Sequence, residues 1–406
     1  METPTEKLQV RCAIAGGGPA GMMLGLLLAR AGIEVAILEK HADFLRDFRG
    51  DTLHPSTLEL MHELGILDEL LKRPHQQLPQ LRAQLGTSEI VLADFSRLPT
   101  RCRFIALMPQ WDFLDFLAQQ GRRYPTFHLR ILSEVTELIE ETDQVTGLRG
   151  RTPEGTIEIA ADLVVGADGR HSVVRKCSGL EAEEFGAPMD VLWMQLSKHS
   201  GDPPTALRFA GGKILVTLDR GDYWQCGFVI PKGGFDEIKT RRLKQFQNEI
   251  LTFAAFLRDR VAELDDWSKI KLLTVQINRL RDWCRDGLLC VGDSAHAMSP
   301  AGGVGINLAI QDAVATANLL AEKLRNGAVS VDDLRKLQAR REWPTRLIQA
   351  MQVFIHRRVV TGQTSRGKNS LPILFRLLKW FPVLRQIPAR FIGIGPRPEH
   401  YCSRGR

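Results

Sequence analysis

The tightest constraint on the fold is one stretch near the start of the chain. Gln9 to Ala15 is mostly apolar, Gly16-Gly17-Gly18-Pro19-Ala20-Gly21 follows, MMLGLLLARAG continues with helical apolar character, and EVAILE is a second strand-like run ending on Glu39. Strand, glycine turn, helix and strand within about 30 residues match the length a parallel β-α-β crossover requires. Gly16 permits the tight turn, Gly18 lets backbone approach a pyrophosphate, and Gly21 lets the helix pack closely on its strand. The helix N-terminus then offers free N–H groups and a positive dipole end to phosphates. Glu39 stands where an acid accepts hydrogen bonds from ribose hydroxyls. The stretch therefore predicts a dinucleotide site on a doubly wound sheet, without distinguishing one dinucleotide from another.

With 406 residues and 44% apolar content, the chain can bury a large core, which excludes bulk disorder and favours one large or two intimately joined domains. The seven cysteines are scattered, odd in number and free of any Cys-x-x-Cys pair, which argues against a disulfide framework or a zinc site and for reduced thiols in a cytoplasmic protein. The opening METPTEKLQV has no signal-like apolar stretch, and no uninterrupted apolar run approaches the roughly 18 to 20 residues needed to span a bilayer. The formal charge of +7 is uneven: from residue 351 onward there are eleven Lys/Arg and one acid, Glu399. Nucleic acid is not expected as a partner, because stacking aromatics interleaved with the bases are missing. A solvated or membrane-surface tail fits better.

Apolar residues at helical spacing mark PSTLELMHELGILDELL and WDFLDFLAQQ as helices. Between about 125 and 166, short strand-like runs separated by turn residues read as a meander returning to the nucleotide-binding sheet. The runs DVLWMQL, KILVTL and YWQCGFVIP, divided by GDPP, GG and RGD turn signals, predict with 75–107 a separate antiparallel sheet covering the first domain. The fold class expected is α/β: a Rossmann-like cofactor domain with a parallel sheet from 1–74, 108–180 and 276–345, an interleaved antiparallel-sheet substrate domain from 75–107 and 181–275, and a helical, basic C-terminal segment from 346 to 406.

Two further segments narrow the cofactor. DLVVGADGRHSVVR, from Asp162 to Arg175, runs from an apolar strand into an Asp-Gly turn and a helix. GLLCVGDSAH, from Gly287 to His296, again ends a strand on a carboxylate and continues through SPAGGVGINLA into a helix. With these three segments in this order and spacing, the chain resembles the class A flavoprotein aromatic hydroxylases, the family of para-hydroxybenzoate hydroxylase and the ubiquinone-pathway ring hydroxylases, from about 10 to 345.

The resemblance implies FAD as cofactor and NAD(P)H as co-substrate. It assigns Gly16, Gly18, Pro19, Ala20, Gly21, Glu39 and Lys40 to the dinucleotide, and Gly292 and Asp293 to a ribityl or ribose hydroxyl. Asp168 and Gly169 form the turn that touches both FAD and the nicotinamide nucleotide. Pro300, Gly303, Gly305, Ile306 and Asn307 lie along the isoalloxazine, with Pro300, Gly303 and Asn307 at the reacting centre. Arg49 matches an arginine that contacts FAD, and Gln110 a glutamine near the flavin. Each residue also has a plain structural reading: Arg49 as a surface ion-pair partner, Asp168 as a helix cap, His296 as a structural histidine at a strand-to-helix turn. No second GxGxxG unit is present, in keeping with transient nicotinamide binding.

The activity implied is hydroxylation of an aromatic or polycyclic ring with NAD(P)H and O2 through a flavin hydroperoxide. Two alternatives stay open: a flavin reductase of an isoprenoid or quinone-like substrate without oxygen insertion, and a non-catalytic nucleotide or prenyl carrier. A halogenase is disfavoured, since Cys226-Gly-Phe228-Val-Ile230-Pro231 lacks both tryptophans of the Trp-x-Trp-x-Ile-Pro run that group shows. Trp193, Phe209, Trp224, Cys226 and Phe228 are the candidates for an apolar substrate pocket. LPILFRLLKWFPVLRQIPARFIGIG mixes apolar and basic residues as an amphipathic segment does, either peripheral to a membrane or packed over the substrate entrance.

Overall fold

In the computed structural model, which describes residues 5–45, 52–86, 88–210, 213–327, 329–360 and 378–402, the opening apolar run is the strand Thr5–Ala15, inside an eight-stranded sheet. It pairs in parallel with Val35–Leu38 on one side and Gly155–Gly166 on the other. Phe127–Arg130 and Leu288–Cys290 extend the parallel set. Successive side chains of a strand point to opposite faces, and both faces here are covered. Cys12 and Ile14 join a cluster with the helices Pro19–Arg30, Gln110–Gly121 and Val304–Arg325, while Ala13 and Ala15 join a second cluster with Val135, Val145 and Leu148 of the meander. Burial on both sides explains the unbroken apolar character that marks these strands in the sequence.

The second sheet has seven strands, ordered Lys271–Leu273, Met189–Ser197, Tyr223–Pro231, Lys213–Asp219, Ala206–Ala210, Gln80–Leu85 and Ser88–Asp94. Its one parallel pair among the described residues, Ala206–Ala210 with Gln80–Leu85, joins segments far apart in sequence and makes the domains interleave. Strand register separates the five pocket candidates. Trp193 lies opposite Gly227, Gly227 opposite Val216 and Val216 opposite Leu207, so Trp193 and Phe209 share one face. Trp224, Cys226 and Phe228 lie on the other. That face packs on Phe246, Ile250, Phe253 and Leu257, with the Phe228 ring edge-on to Phe246 and Phe253 and Trp224 edge-on to Phe256. These three residues are core, not pocket: the period-2 alternation that buries them beneath the Leu243–Phe253 helix points them away from the first domain.

The C-terminal segment does not begin after an element. The helix Val331–Val360 runs through positions 345 and 346 without a break and carries Pro344 inside it. A buried charge chain fixes this helix and the last residues to the first domain. Arg341 Nε donates to Asp312 Oδ1 at 2.9 Å and Nη1 to Glu399 Oε1 at 3.3 Å, while Arg340 Nε and Nη2 donate to Glu399. His296 Nε2 lies 2.6 Å from Asp312 Oδ2, which also accepts the Gly292 N–H. Burial alone would raise the Asp312 carboxyl; His296 and Arg341 outweigh it and hold the group below the usual carboxylate range. The Val304–Arg325 helix that carries Asp312 is long and apolar, and its burial marks it as a core helix.

Two outcomes follow for stability. Asp312→Asn leaves Arg341 buried with half its compensation, and urea unfolding of the variant should show a loss of about 3 to 5 kcal/mol; a loss under about 1 kcal/mol would show that the chain is not a stabilising unit. His54 is fully buried, and burial pushes its imidazole down to about 4, against an ordinary value near 6.5. Between those values the unfolded chain binds a proton that the folded chain refuses. Its contribution is therefore complete above about pH 6.5 and lost as pH falls toward 4, by up to about 3 kcal/mol. Urea midpoints near pH 7 and near pH 4.5 should fall further apart in the wild type than in His54→Asn, and equal falls would contradict this.

Candidate functional site

The three glycine-and-acid turns leave adjacent strand ends. Ala15 is level with Gly166, and Gly166 with Cys290, so the turns that start at Gly16, Ala167 and Val291 emerge side by side at the carboxyl edge of the parallel sheet, the edge where open α/β sheets bind ligands. Their backbones touch. Gly16 has a positive φ of 102°, and a Cβ there would stand 2.5 Å from Ala167 O. A Cβ on Gly21 would collide with Gly16 O, and one on Gly292 would meet Ala309 and Ala20. Gly18 differs: the nearest atom to a Cβ there is 3.9 Å away, so its backbone faces open space that an incoming group can approach.

Capping shows which polar groups the protein has left over. The Val173–Ser178 helix is satisfied internally: Ser172 Oγ accepts from Arg175 N, and Asp168 Oδ2 accepts from Val173 N and Val174 N at 2.7 and 3.1 Å. Asp168 is thus a cap, as its structural reading has it, yet its Oδ1 is buried without a partner among the described residues, and burial raises its carboxyl. The Pro19–Arg30 and Val304–Arg325 helices, by contrast, start on Gly18 and Gly303 with no side-chain cap. Their first-turn N–H groups have no intrahelical acceptor, which leaves two positive helix ends open to anionic groups. A dinucleotide with a pyrophosphate and an electron-rich ring fits this donor set.

Arginines knit the second and third turns together. Arg175 Nη1 donates to Ser294 O and Nη2 to Arg170 O, while Ser294 Oγ donates to Gly166 O. Arg170 Nη2 donates to Asp293 Oδ2 at 3.3 Å, and both side chains stay partly exposed. Glu39 closes the first turn, its Oε2 accepting from Gly17 N at 3.0 Å and Oε1 from His41 N. Lys40 is exposed beside it, and Gly169 takes a positive φ in open space. Arg49 lies outside the described residues.

The loop and helix start from Pro300 to Asn307 are held from two directions. Gly303 has a positive φ of 64° and Thr52 packs where its Cβ would be, so the glycine serves Thr52. Asn307 Oδ1 accepts from His54 N and Thr57 Oγ1, and its Nδ2 donates to Thr52 O and Gly303 O. An amide has two acceptor sites and two donors, so this side chain has no polar atom left for a ligand. Asn307 is therefore a positioning residue and not a reacting one; Val304, Gly305 and Ile306 present the open helix end. From the other side, Gln352 accepts from Ser299 N and donates to Ser299 O and Ala301 O, bracketing Pro300, and His356 stands 3.2 Å from Ser299 Oγ. Gln110 heads a helix that follows Ile105–Leu107, the strand paired with Thr52–Leu53. His296 is buried behind the third turn against Trp283 and Asp312, as its structural reading expects.

Arg175, Asp312 and Gln352 are the positioning groups that motif reading passes over. Arg175 sits inside a quoted motif without a role, and Asp312 shows as an acid inside an apolar helix, a placement that requires a buried partner. Gln352 gives no local signal, because its partners are backbone groups 51 and 53 residues away.

Known proteins share this arrangement. The family described as FAD binding domain matches residues 9–347. A 6-methylpretetramide 4-monooxygenase of Streptomyces rimosus is 33% identical over 95% of this chain and 93% of its own length. In fold, p-nitrophenol 4-monooxygenase from Pseudomonas putida DLL-E4 superposes with a TM-score of 0.77 at 20% identity, over 97% of this chain and 100% of that one. Flavin-dependent brominase Bmp2 reaches 0.76 at 15% identity, over 95% and 93%, so fold alone does not choose between hydroxylation and halogenation. Sequence does: the chain belongs to the FAD-binding-domain family of flavin-dependent aromatic monooxygenases.

Proposed function

We propose that the three converging turns hold a single FAD and that an aromatic or polycyclic ring is hydroxylated between the open end of the Val304–Arg325 helix and the sheet face bearing Trp193 and Phe209. The observation that carries this reading is the set of turns on adjacent strand ends, two of them heading helices with no side-chain cap. The pyrophosphate belongs at Gly16, Gly18, Pro19, Ala20 and Gly21, the adenosine ribose at Glu39 with Lys40 nearby, and a ribityl or ribose hydroxyl at Gly292 and Asp293. Gly305, Ile306 and Gln110 would hold the ring system.

Bound FAD supplies electron transfer from NAD(P)H and activation of O2. The chain's own part is placement and electrostatics. The helix start at Val304 to Ile306 favours negative charge by ~0.3–2 kcal/mol. Gln352 and His356 fix the backbone around Pro300, and Asn307 fixes Thr52 and His54 against it. Trp193 clusters with Val191, Val275, Ile277 and Val353, which supports an apolar pocket that keeps water from the reacting atoms. The relative named for 6-methylpretetramide supports a large ring system as substrate. The seven unpaired cysteines support a cytoplasmic setting.

NADH and NADPH oxidation, screened against ring compounds with product mass as readout, tests the reading. A ring compound that accelerates oxidation and returns one oxygen heavier is the expected result. A substrate that returns reduced and without oxygen would establish the reductase instead, and purified protein with no yellow absorbance after incubation with FAD would establish the carrier.

A further inference from the structure

Charge in this chain is strongly segregated. From Trp343 through Pro398 the sequence carries ten Lys/Arg and no Asp or Glu, while the remainder carries three more acids than bases. Most of that run lies beyond residue 347, where the family match ends. Within it, Trp380, Phe381, Val383 and Ile387 are 78%, 56%, 68% and 68% exposed. They occupy the turn Pro382–Arg385 and its flanks, and the start of the Gln386–Gly393 helix. Monomeric proteins rarely leave so many large apolar side chains together in water.

The segment's inner side is already used. Ala389 and Ile394 pack with Ala93, Phe95 and Leu98, a Cβ on Gly393 would meet Leu98 and Phe95, and Ile392 O accepts from His54 Nδ1 at 2.8 Å. The outer side therefore faces away from the protein. Lys379 and Arg390 are exposed on the same short stretch. Trp343 and Leu347 are exposed on the Val331–Val360 helix, which meets this stretch through Ile348 and Phe391.

We propose that residues 379–394 dock this protein on an anionic lipid surface, with Trp380, Phe381, Val383 and Ile387 entering the interface and Lys379 and Arg390 at the headgroups. The chemistry favours lipid over a protein partner. Between Lys379 and Ile394 the one uncharged polar side chain is Gln386, so the surface offers apolarity and positive charge but almost no directional hydrogen bonding. Tryptophan suits the headgroup level, and cations near the surface add attraction to anionic lipid. Phe391, Ile392 and Ile394 of this segment also line a crevice with His54, Val304 and Asn307, so docking brings that crevice next to the bilayer, where an apolar ring compound concentrates.

Flotation of the full-length, FAD-loaded protein with phosphatidylcholine vesicles, with and without phosphatidylglycerol, is the test. The anionic vesicles should carry on the order of tenfold more protein than the neutral ones, with recovery falling as salt is raised. Trp380→Ser/Phe381→Ser and Lys379→Glu/Arg390→Glu should each lose that recovery, while flavin absorbance and NAD(P)H oxidation in vesicle-free buffer stay at wild-type levels. Equal wild-type recovery with anionic vesicles and without vesicles would overturn the proposal, and so would undiminished flotation of the serine variant. Vesicle-independent dimerisation that the serine variant abolishes would assign the patch to a second copy of the chain instead.

Discussion

Three parallel strands that end level with one another set the geometry on which everything else depends. Because Ala15, Gly166 and Cys290 share a register, the turns that follow them are forced against each other, and side chains have to disappear where backbones meet. Gly16 is the consequence, since a methyl group there would enter Ala167 whether or not FAD is bound. Gly21 makes room for Gly16 O within the first turn, and Gly292 for the side chains of Ala309 and Ala20. Gly18 is the exception, with open space where its side chain would be. Two helix starts at this edge, on Gly18 and Gly303, also carry no capping side chain, which makes the edge a site for negative charge.

Behind that edge the protein keeps its charges compensated in chains. Asp312 receives His296, Arg341 and the Gly292 N–H, and Arg341 passes the compensation to Glu399 near the C-terminus. A buried carboxylate is tolerable only with such partners. The third turn and the C-terminal segment are thereby parts of one cooperative unit. The Gln352 contacts to Ser299 and Ala301 act alike, tying a helix whose far half lies past the family match to the loop around Pro300.

Much of this was legible in the sequence wherever a local rule applies. The β-α-β unit, both acid turns and the interleaved second sheet follow from glycine spacing, apolar periodicity and turn residues. Long-range pairing was not legible. Trp224, Cys226 and Phe228 share the residue types of a pocket and lie in a packed core, because which face of a strand turns inward depends on what covers it. Asn307 has the residue type of a ligand contact, but its amide is used up by Thr52, His54, Thr57 and Gly303, three of them about 250 residues away in sequence. Pro344 reads as a stop signal in isolation and sits inside a helix held by Arg341 and Gln349 on either side.

Titration of flavin-free protein with FAD, followed by fluorescence, tests the convergence most directly. One equivalent should bind the wild type, and Gly18→Val, Asp168→Asn and Asp293→Ala, one change in each turn, should each weaken that same equivalent by about tenfold or more, on the order of 1.4 kcal/mol. Wild-type affinity in any of the three variants, or a second equivalent that responds to a different turn from the first, would mean that the turns do not grip one molecule.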